Sequence, residues 1–261
     1  MDAKRYAILD LFRGLVLISM IAYHAIWDMV YIYGEQWNWY KSDIAYLWQQ
    51  SICWSFILLS GFCWNFGRHK LKRGIVVFVA GSIISMVTIL VMPANVVIFG
   101  VLTLLGTSML LMIPLDRILH KIDSKIGLCF ATMLFVITRN INKGSLGFEK
   151  WEILNISDHW YGYLGSADAN FVDWVATYVG FTAKDFFSTD YFSVFPWFFL
   201  FMVGYFLYQI MNESNWLEQL KPSCSKHFEW LGRHSLLIYM VHQPIIYAVL
   251  ALWYYFTRNF C

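Results

Sequence analysis

Charged residues are scarce in this chain, at 14% of 261 residues, whereas hydrophobic residues make up 59% and aromatic residues 20%. Soluble domains carry about 25% charged residues, so this composition excludes an ordinary soluble protein. The net charge of +2 is too small to indicate nucleic acid as a partner. The composition therefore predicts a polytopic protein whose main surroundings are the lipid bilayer.

Cysteines are few and odd in number, five in all. Cys53, Cys63 and Cys129 fall inside apolar runs, so the pattern shows neither a disulfide framework nor a zinc-binding spacing, and we expect no metal. The N-terminal region also lacks the small-residue cleavage pattern of a signal peptide, and its apolar stretch is too long for one. We therefore expect the first apolar run to remain as a membrane span.

Apolar runs long enough to cross a bilayer, or nearly so, recur along the chain. They predict an all-α, polytopic bundle of about seven transmembrane helices. The fifth run is short, so it is tilted, interfacial or completed by part of the following loop. The runs lie at about 8–31, 44–64, 74–92, 96–115, 126–138, 191–211 and 235–256.

Lysine and arginine are about twice as frequent on one side of these spans as on the other, which predicts an N-terminus inside. One long connection, about 139–190, then lies outside the cytoplasm. Its aromatic residues argue against disorder, and the segment near 170–180 is typical of a short amphipathic helix on the membrane surface. Because no internal repeat or linker interrupts the pattern, we treat residues 1–261 as a single domain.

The first span carries four ionisable residues. Such residues are energetically costly inside a bilayer and are usually functional. On a helical projection Asp10, Arg13, His24 and Asp28 fall within about 60° of one another, so they form one polar stripe. Arg13 would lie near the inner side and His24 about 16 Å further out. His24 and Asp28 are spaced so that the carboxylate can orient the imidazole as a general base. Alternatively, Arg13 pairs with Asp10 and His24 bonds a neighbouring helix.

The last span brings a second polar set, because Ser235, Tyr239 and His242 share one face. Pro244 removes a backbone donor next to His242, which predicts a bent helix with a free carbonyl. His242 would lie about 10 Å from the inner end of its helix, a depth closer to Arg13 than to His24. It is either part of a site or a hydrogen-bonded packing histidine.

The stripe of the first span resembles the first span of the transmembrane acyltransferase superfamily. Three further segments resemble bacterial members of the heparan-alpha-glucosaminide N-acetyltransferase family, and together they cover most of the chain except the long loop. In the first span the resemblance rests on Arg5, Leu9, Asp10, Arg13, Gly14 and His24. The other segments run from Phe99 to Leu102, Phe195 to Phe198 and Leu231 to His242.

The resemblance implies a plasma-membrane enzyme that transfers an acetyl or acyl group from cytosolic acetyl-CoA to a hydroxyl or amine of a sugar or glycan acceptor on the other side. Larger lysosomal relatives have more spans, and their catalytic histidine lies beyond the position matched by His24. This chain has no histidine between His24 and His69, so the catalytic role is carried over to His24.

The residue roles follow from this resemblance. We expect His24 to act as general base or transient acyl carrier, Asp28 to orient it, and His242 to lie near the thioester. The acyl-CoA is assigned to Arg13, Asp10, Arg5, Arg233 and Tyr239. The acceptor is assigned to the long loop, at Trp151, Asp158, Trp160 and Tyr161, by stacking and hydrogen bonds. A homodimer is compatible with these assignments.

Two other functional classes use the same residues. Two intramembrane histidines on different helices are a common way to hold b-type haem, but the different depths expected for His24 and His242 argue against shared axial ligation. A transporter would use the buried charges as an ion relay, although no inverted repeat supports that class.

Overall fold

The structure is a computed structural model that describes residues 6–165 and 170–260. Within this part of the chain there are nine α-helices and one two-stranded antiparallel hairpin, which confirms the all-α prediction. The helices are α1 (Ala7–Tyr31), α2 (Asp43–Trp64), α3 (Lys70–Val91), α4 (Val101–Leu119), α5 (Ser124–Thr138), α6 (Phe171–Val179), α7 (Val194–Glu213), α8 (Lys226–Arg233) and α9 (Ser235–Phe260), and the strands are β1 (Ser145–Phe148) and β2 (Trp151–Asn155).

Six helices of the described chain are long and apolar enough to cross a membrane, namely α1, α3, α4, α5 with its continuation, α7 and α9. The fifth of the expected spans is completed by the following 3-10 turn, so that it runs Ser124–Lys143. Helix α2 fills the second expected span with 22 residues, but polar residues such as Gln49, Gln50 and Ser51 lower its hydropathy. The chain is thus an integral membrane helical protein.

By compactness the chain divides into two units, one formed by Met1–Phe56 with Asn215–Cys261 and the other by Ile57–Ser214. The single-domain organisation expected from the sequence stays a prediction.

In the first unit, α8 packs closely against the beginning of α1. A methyl group on Gly14 would collide with the backbone of Phe228, and one on Gly232 would collide with the backbone of Asp10. Small residues allow such close approach between helices. Further along, Val16, Leu17, Met20 and Ile52 form a buried cluster, and Ile238 and Tyr239 of α9 pack against it. Helices α1, α8 and α9 therefore form one packed set.

In the second unit, glycines again set the closest helix contacts. A methyl group on Gly106 of α4 would collide with the backbone of Phe78 of α3, and one on Gly127 of α5 with the ring of Phe206 of α7. The largest fully buried side chains of this unit include Tyr205, Phe201 and Phe206. This unit is assembled from tight apolar helix pairs.

The long connection is largely ordered. Asn140 holds the hairpin, because its side-chain amide donates to the carbonyls of Glu149 at 3.0 Å and Trp151 at 3.3 Å. The Arg139 guanidinium pairs with the Glu149 carboxylate at 2.9 Å. Helix α6 starts with a capping box between Asn170 and Asp173, a common N-terminal signal. The expected short helix near 170–180 is confirmed, whereas the hairpin was not predicted.

Candidate active site

Helices α1 and α9 bring His24 and His242 into direct contact. Their ring centroids lie 4.9 Å apart, with the ring planes inclined at 60°. The Tyr239 ring lies 5.2 Å from that of His242, and the Tyr23 ring 6.0 Å from that of His24. The polar faces predicted for the first and the last span therefore meet in one place.

The tautomer of His242 follows from its hydrogen bond. Its Nδ1 lies 2.5 Å from the carbonyl oxygen of Tyr239, and because a carbonyl can only accept, Nδ1 carries the proton and donates. Nε2 is buried without a hydrogen-bond partner among the described residues, and the residue is only 7% exposed. In a neutral imidazole that nitrogen holds a free lone pair, which is what a general base needs.

Asp28 bonds to α9 rather than to the histidine of its own helix. Its Oδ1 accepts a hydrogen bond from Nε2 of Gln243 at 2.7 Å, and the residue is fully buried. Asp28 Oδ2 and Gln243 Oε1 have no partner among the described residues. Instead of the expected His24–Asp28 hydrogen bond, Asp28 forms a link between helices α1 and α9.

The prediction that His24 and His242 lie at different depths is wrong. Helix α8 explains the error, because it packs against the first turns of α1 and so displaces the start of α9 along that helix. Ile238 and Tyr239 consequently pack against the cluster that contains Leu17 and Met20, well beyond the beginning of α1. Four residues after Ile238, His242 is level with His24.

This correction removes the depth argument against haem and replaces it with a geometric one. Bis-histidine haem has one imidazole on each face of a planar macrocycle. The two rings here contact each other at 4.9 Å, which leaves no space for a macrocycle between them. This arrangement does not fit axial haem ligation.

Nearer the start of α1, Arg13 pairs with Asp10 at 3.2 Å, and both side chains are partly buried, at 22% and 14% exposure. This contact agrees with the pairing considered for the sequence, and it lies beside the Gly232 contact of α8. Arg233 is exposed, and its Nε donates to the Glu229 carbonyl at 3.2 Å. Arg5, also assigned to the acyl-CoA, lies outside the described residues.

Glu229 fixes the segment that leads into α8. Its carboxylate accepts from the Ser223 hydroxyl at 2.7 Å and from the backbone of Cys224 and Ser225 at 3.0 and 3.2 Å. The Ser223 hydroxyl and then these backbone groups hold the pKa of Glu229 below its ordinary value. An anchored α8 fixes in turn the position of α9.

Tyr239, assigned to the acyl-CoA, lies instead beside the histidines. Besides its contact with His242, its ring meets that of Phe56 edge-on at 6.4 Å. The Tyr239 ring therefore lies along one side of the histidine pair.

The loop residues assigned to the acceptor belong to the second unit and differ from one another. Trp151 and Trp160 are 79% and 59% exposed, and Asp158 pairs with Lys184 at 3.1 Å. Tyr161 is buried, and its hydroxyl donates to the carbonyl of Ile141 at 2.6 Å. Burial raises the pKa of Tyr161 to about 12, so it remains a donor to Ile141 and braces the loop.

Sequence reasoning missed an aromatic cluster at the other end of α1. The Tyr23 ring lies 5.1 Å from that of Tyr40 and 5.3 Å from that of Trp48. Tyr40 donates to the carbonyl of Tyr23 at 2.9 Å, and the Trp48 indole to Ser19 at 2.8 Å. The density of aromatic residues between 27 and 48 was the available signal.

These features define an integral membrane protein with a polar site inside its helices. The sequence profile of the heparan-alpha-glucosaminide N-acetyltransferase catalytic family matches residues 5–244, and the chain belongs to this family. The family consists of membrane acetyltransferases. Searches of curated proteins and of solved structures found no significant match.

Proposed function

We propose that the chain transfers an acetyl group from acetyl-CoA to a hydroxyl or amine of a sugar or glycan acceptor, with the histidine pair as the proton acceptor. Family membership supports acetyl transfer. The observation that carries the proposal is the buried His242, whose Nδ1 is fixed and whose Nε2 is free, in contact with His24.

The chemistry follows from that nitrogen. Nε2 of His242 takes the proton of the acceptor hydroxyl or amine as its oxygen or nitrogen bonds to the acetyl carbonyl carbon. The carbon–sulfur bond then breaks, and the CoA thiolate leaves and receives the proton from the histidinium. Because the His24 ring touches that of His242, it can pass this proton on or bind the acceptor. Exclusion of water by the surrounding helices limits hydrolysis of the thioester.

The donor phosphates are assigned to the beginning of α1. Arg13 offers a guanidinium oriented by Asp10 at 3.2 Å, and guanidinium groups bind phosphate with directed hydrogen bonds. Arg13 and His24 are separated by about 16 Å along α1, a gap that the extended pantetheine arm of CoA can bridge. Arg5 and Arg233 are further candidates for the same phosphates.

The sidedness rests on the positive-inside rule. With the N-terminus inside, Arg13 is near the cytosol and the long loop is on the acceptor side of a bacterial plasma membrane. Trp151, Trp160 and Asp158 then offer stacking faces and a carboxylate to a glycan.

Calorimetric binding of acetyl-CoA to the purified chain in detergent tests the donor assignment without knowledge of the acceptor. We expect saturable binding that Arg13→Ala weakens at least about tenfold, because a charge-assisted contact contributes roughly 1.5–3 kcal/mol. The matched control is Arg68→Ala, which removes an exposed arginine and should leave binding unchanged. Absence of binding by folded protein would refute the proposal.

A further inference from the structure

An elongated groove of about 670 Å³ lies in the second unit, between α3, the start of α4 and α6. One face of α3 forms its long wall, with residues recurring at each turn. These residues span twelve positions, or about 18 Å along the helix axis. The α3 wall consists of Phe78, Ser82, Ser85, Met86, Ile89 and Leu90.

The hydroxyls in the groove already have partners: that of Tyr178 in α6 bonds to the Thr107 hydroxyl of α4, and those of the serines and the threonine bond within their own segments. Ser82 donates to the Phe78 carbonyl at 3.1 Å, and Ser85 to the Gly81 carbonyl at 3.3 Å. Thr103 donates to a carbonyl of its own segment at 2.6 Å. None of the described residues that line this groove is charged. Because burying an unpaired polar group is unfavourable, the wall selects an apolar ligand.

The groove is continuous with the lipid-facing surface of α3. This helix has the highest mean hydropathy of the candidate spans, 2.6, and only 17% of its apolar window is buried. At the rim, Met86 is 63%, Leu90 75% and Phe171 80% exposed. In a bilayer this rim faces hydrocarbon, which fills an apolar groove more favourably than water does.

We propose that this groove binds one fatty acyl chain of a membrane phospholipid. Its length of about 18 Å is close to the half-thickness of the hydrocarbon core, about 15 Å, so one chain of one leaflet fits along α3. Trp174 of α6 lies in the wall, and tryptophan is typical of the membrane interface, where the headgroup begins. Since the described residues of the groove include no cation, the headgroup charge is not selected.

Native mass spectrometry of the full chain tests the proposal. The protein is reconstituted in vesicles of equal phosphatidylcholine and phosphatidylglycerol, extracted in mild detergent and measured with its retained lipid. We expect one phospholipid per chain, of either headgroup. Ser85→Phe should abolish this retention, because the new ring fills the groove.

The matched control is Val87→Phe, which adds a ring at a position that is 48% exposed on the same helix and does not line the groove. It should retain the phospholipid. Equal retention by both variants would overturn the proposal, as would an isoprenoid in place of a phospholipid or no retained lipid in the parent chain.

A second measurement does not depend on the folding of Ser85→Phe. In vesicles of phosphatidylcholine brominated on its acyl chains, the fluorescence lost in Trp174→Phe reports on the indole beside the groove. That difference signal should be quenched more strongly than the remaining tryptophan emission. Equal quenching would contradict an acyl chain in the groove.

Discussion

Two helix contacts of this protein differ in their chemistry. The contact between α3 and α4 is apolar, whereas the contact between α1 and α9 is polar. Helices α3 and α4 meet through Gly106, and the Ser85 hydroxyl of α3 bonds within its own helix. Between α1 and α9 the helices meet through His24 and His242, and Nε2 of His242 and Oδ2 of Asp28 have no partner among the described residues. Buried polar atoms without a partner are unfavourable inside a membrane helix pair, which supports the proposal that substrate binds at this contact.

We expect the largest effect from a substitution that removes the contact between His24 and His242. We predict that His242→Ala lowers acetyl transfer by about 10²–10⁴-fold, the usual contribution of a general base. The measurement is CoA release from acetyl-CoA, with glucosamine as an amine acceptor and N-acetylglucosamine as a hydroxyl acceptor.

His120→Ala is the matched control, because it removes an exposed histidine and should keep full activity. His24→Ala tests the partner ring in the same assay. If His242→Ala retains activity while His24→Ala loses it, the base is His24 and the roles of the two rings are exchanged.

An intermediate effect concerns the link between Asp28 and Gln243. Gln243→Leu removes the donor to a fully buried carboxylate and should destabilise the protein by about 1.5–3 kcal/mol. The double variant Asp28→Leu with Gln243→Leu should be less destabilised than the single one, because no polar atom is left unpaired. Thermal unfolding in detergent measures both. Additive losses would show that the two side chains do not interact.

We expect the smallest effect from a substitution in the apolar contact, on helix α3. Ser82→Ala removes a hydroxyl that bonds only the Phe78 carbonyl of its own helix, so stability should change by less than about 0.5 kcal/mol. The same unfolding assay applies. A loss of stability as large as that of Gln243→Leu would contradict this prediction and show that polar groups on α3 stabilise the protein.

Apolar runs and charge were sufficient to predict the long apolar helices of this chain, because a bilayer requires long apolar segments with internally satisfied backbones. Periodicity also predicted the polar faces that hold His24 and His242. Periodicity does not give the position of one helix relative to another along their axes. Helix α8 was not predicted, and without it the depth of His242 was wrong.

The partner of Asp28 was missed for a related reason. Spacing within one helix favours a contact with His24, whereas the carboxylate bonds to Gln243 of another helix, which spacing within α1 does not reveal. The hairpin after α5 was missed as well, since its two short strands carry little alternation and are held by Asn140.

Helix α8 ends at Arg233 and α9 begins at Ser235, so the number of residues between the Gly232 contact and His242 has a consequence for sequence variation. Adding or removing one residue between Gly232 and His242 would turn the imidazole by about 100° and shift it by about 1.5 Å relative to His24. Substitutions on the exposed side of α8 leave that alignment intact. Homologous chains that keep the histidine pair should therefore vary on the exposed side of α8 but not in the number of residues between Gly232 and His242.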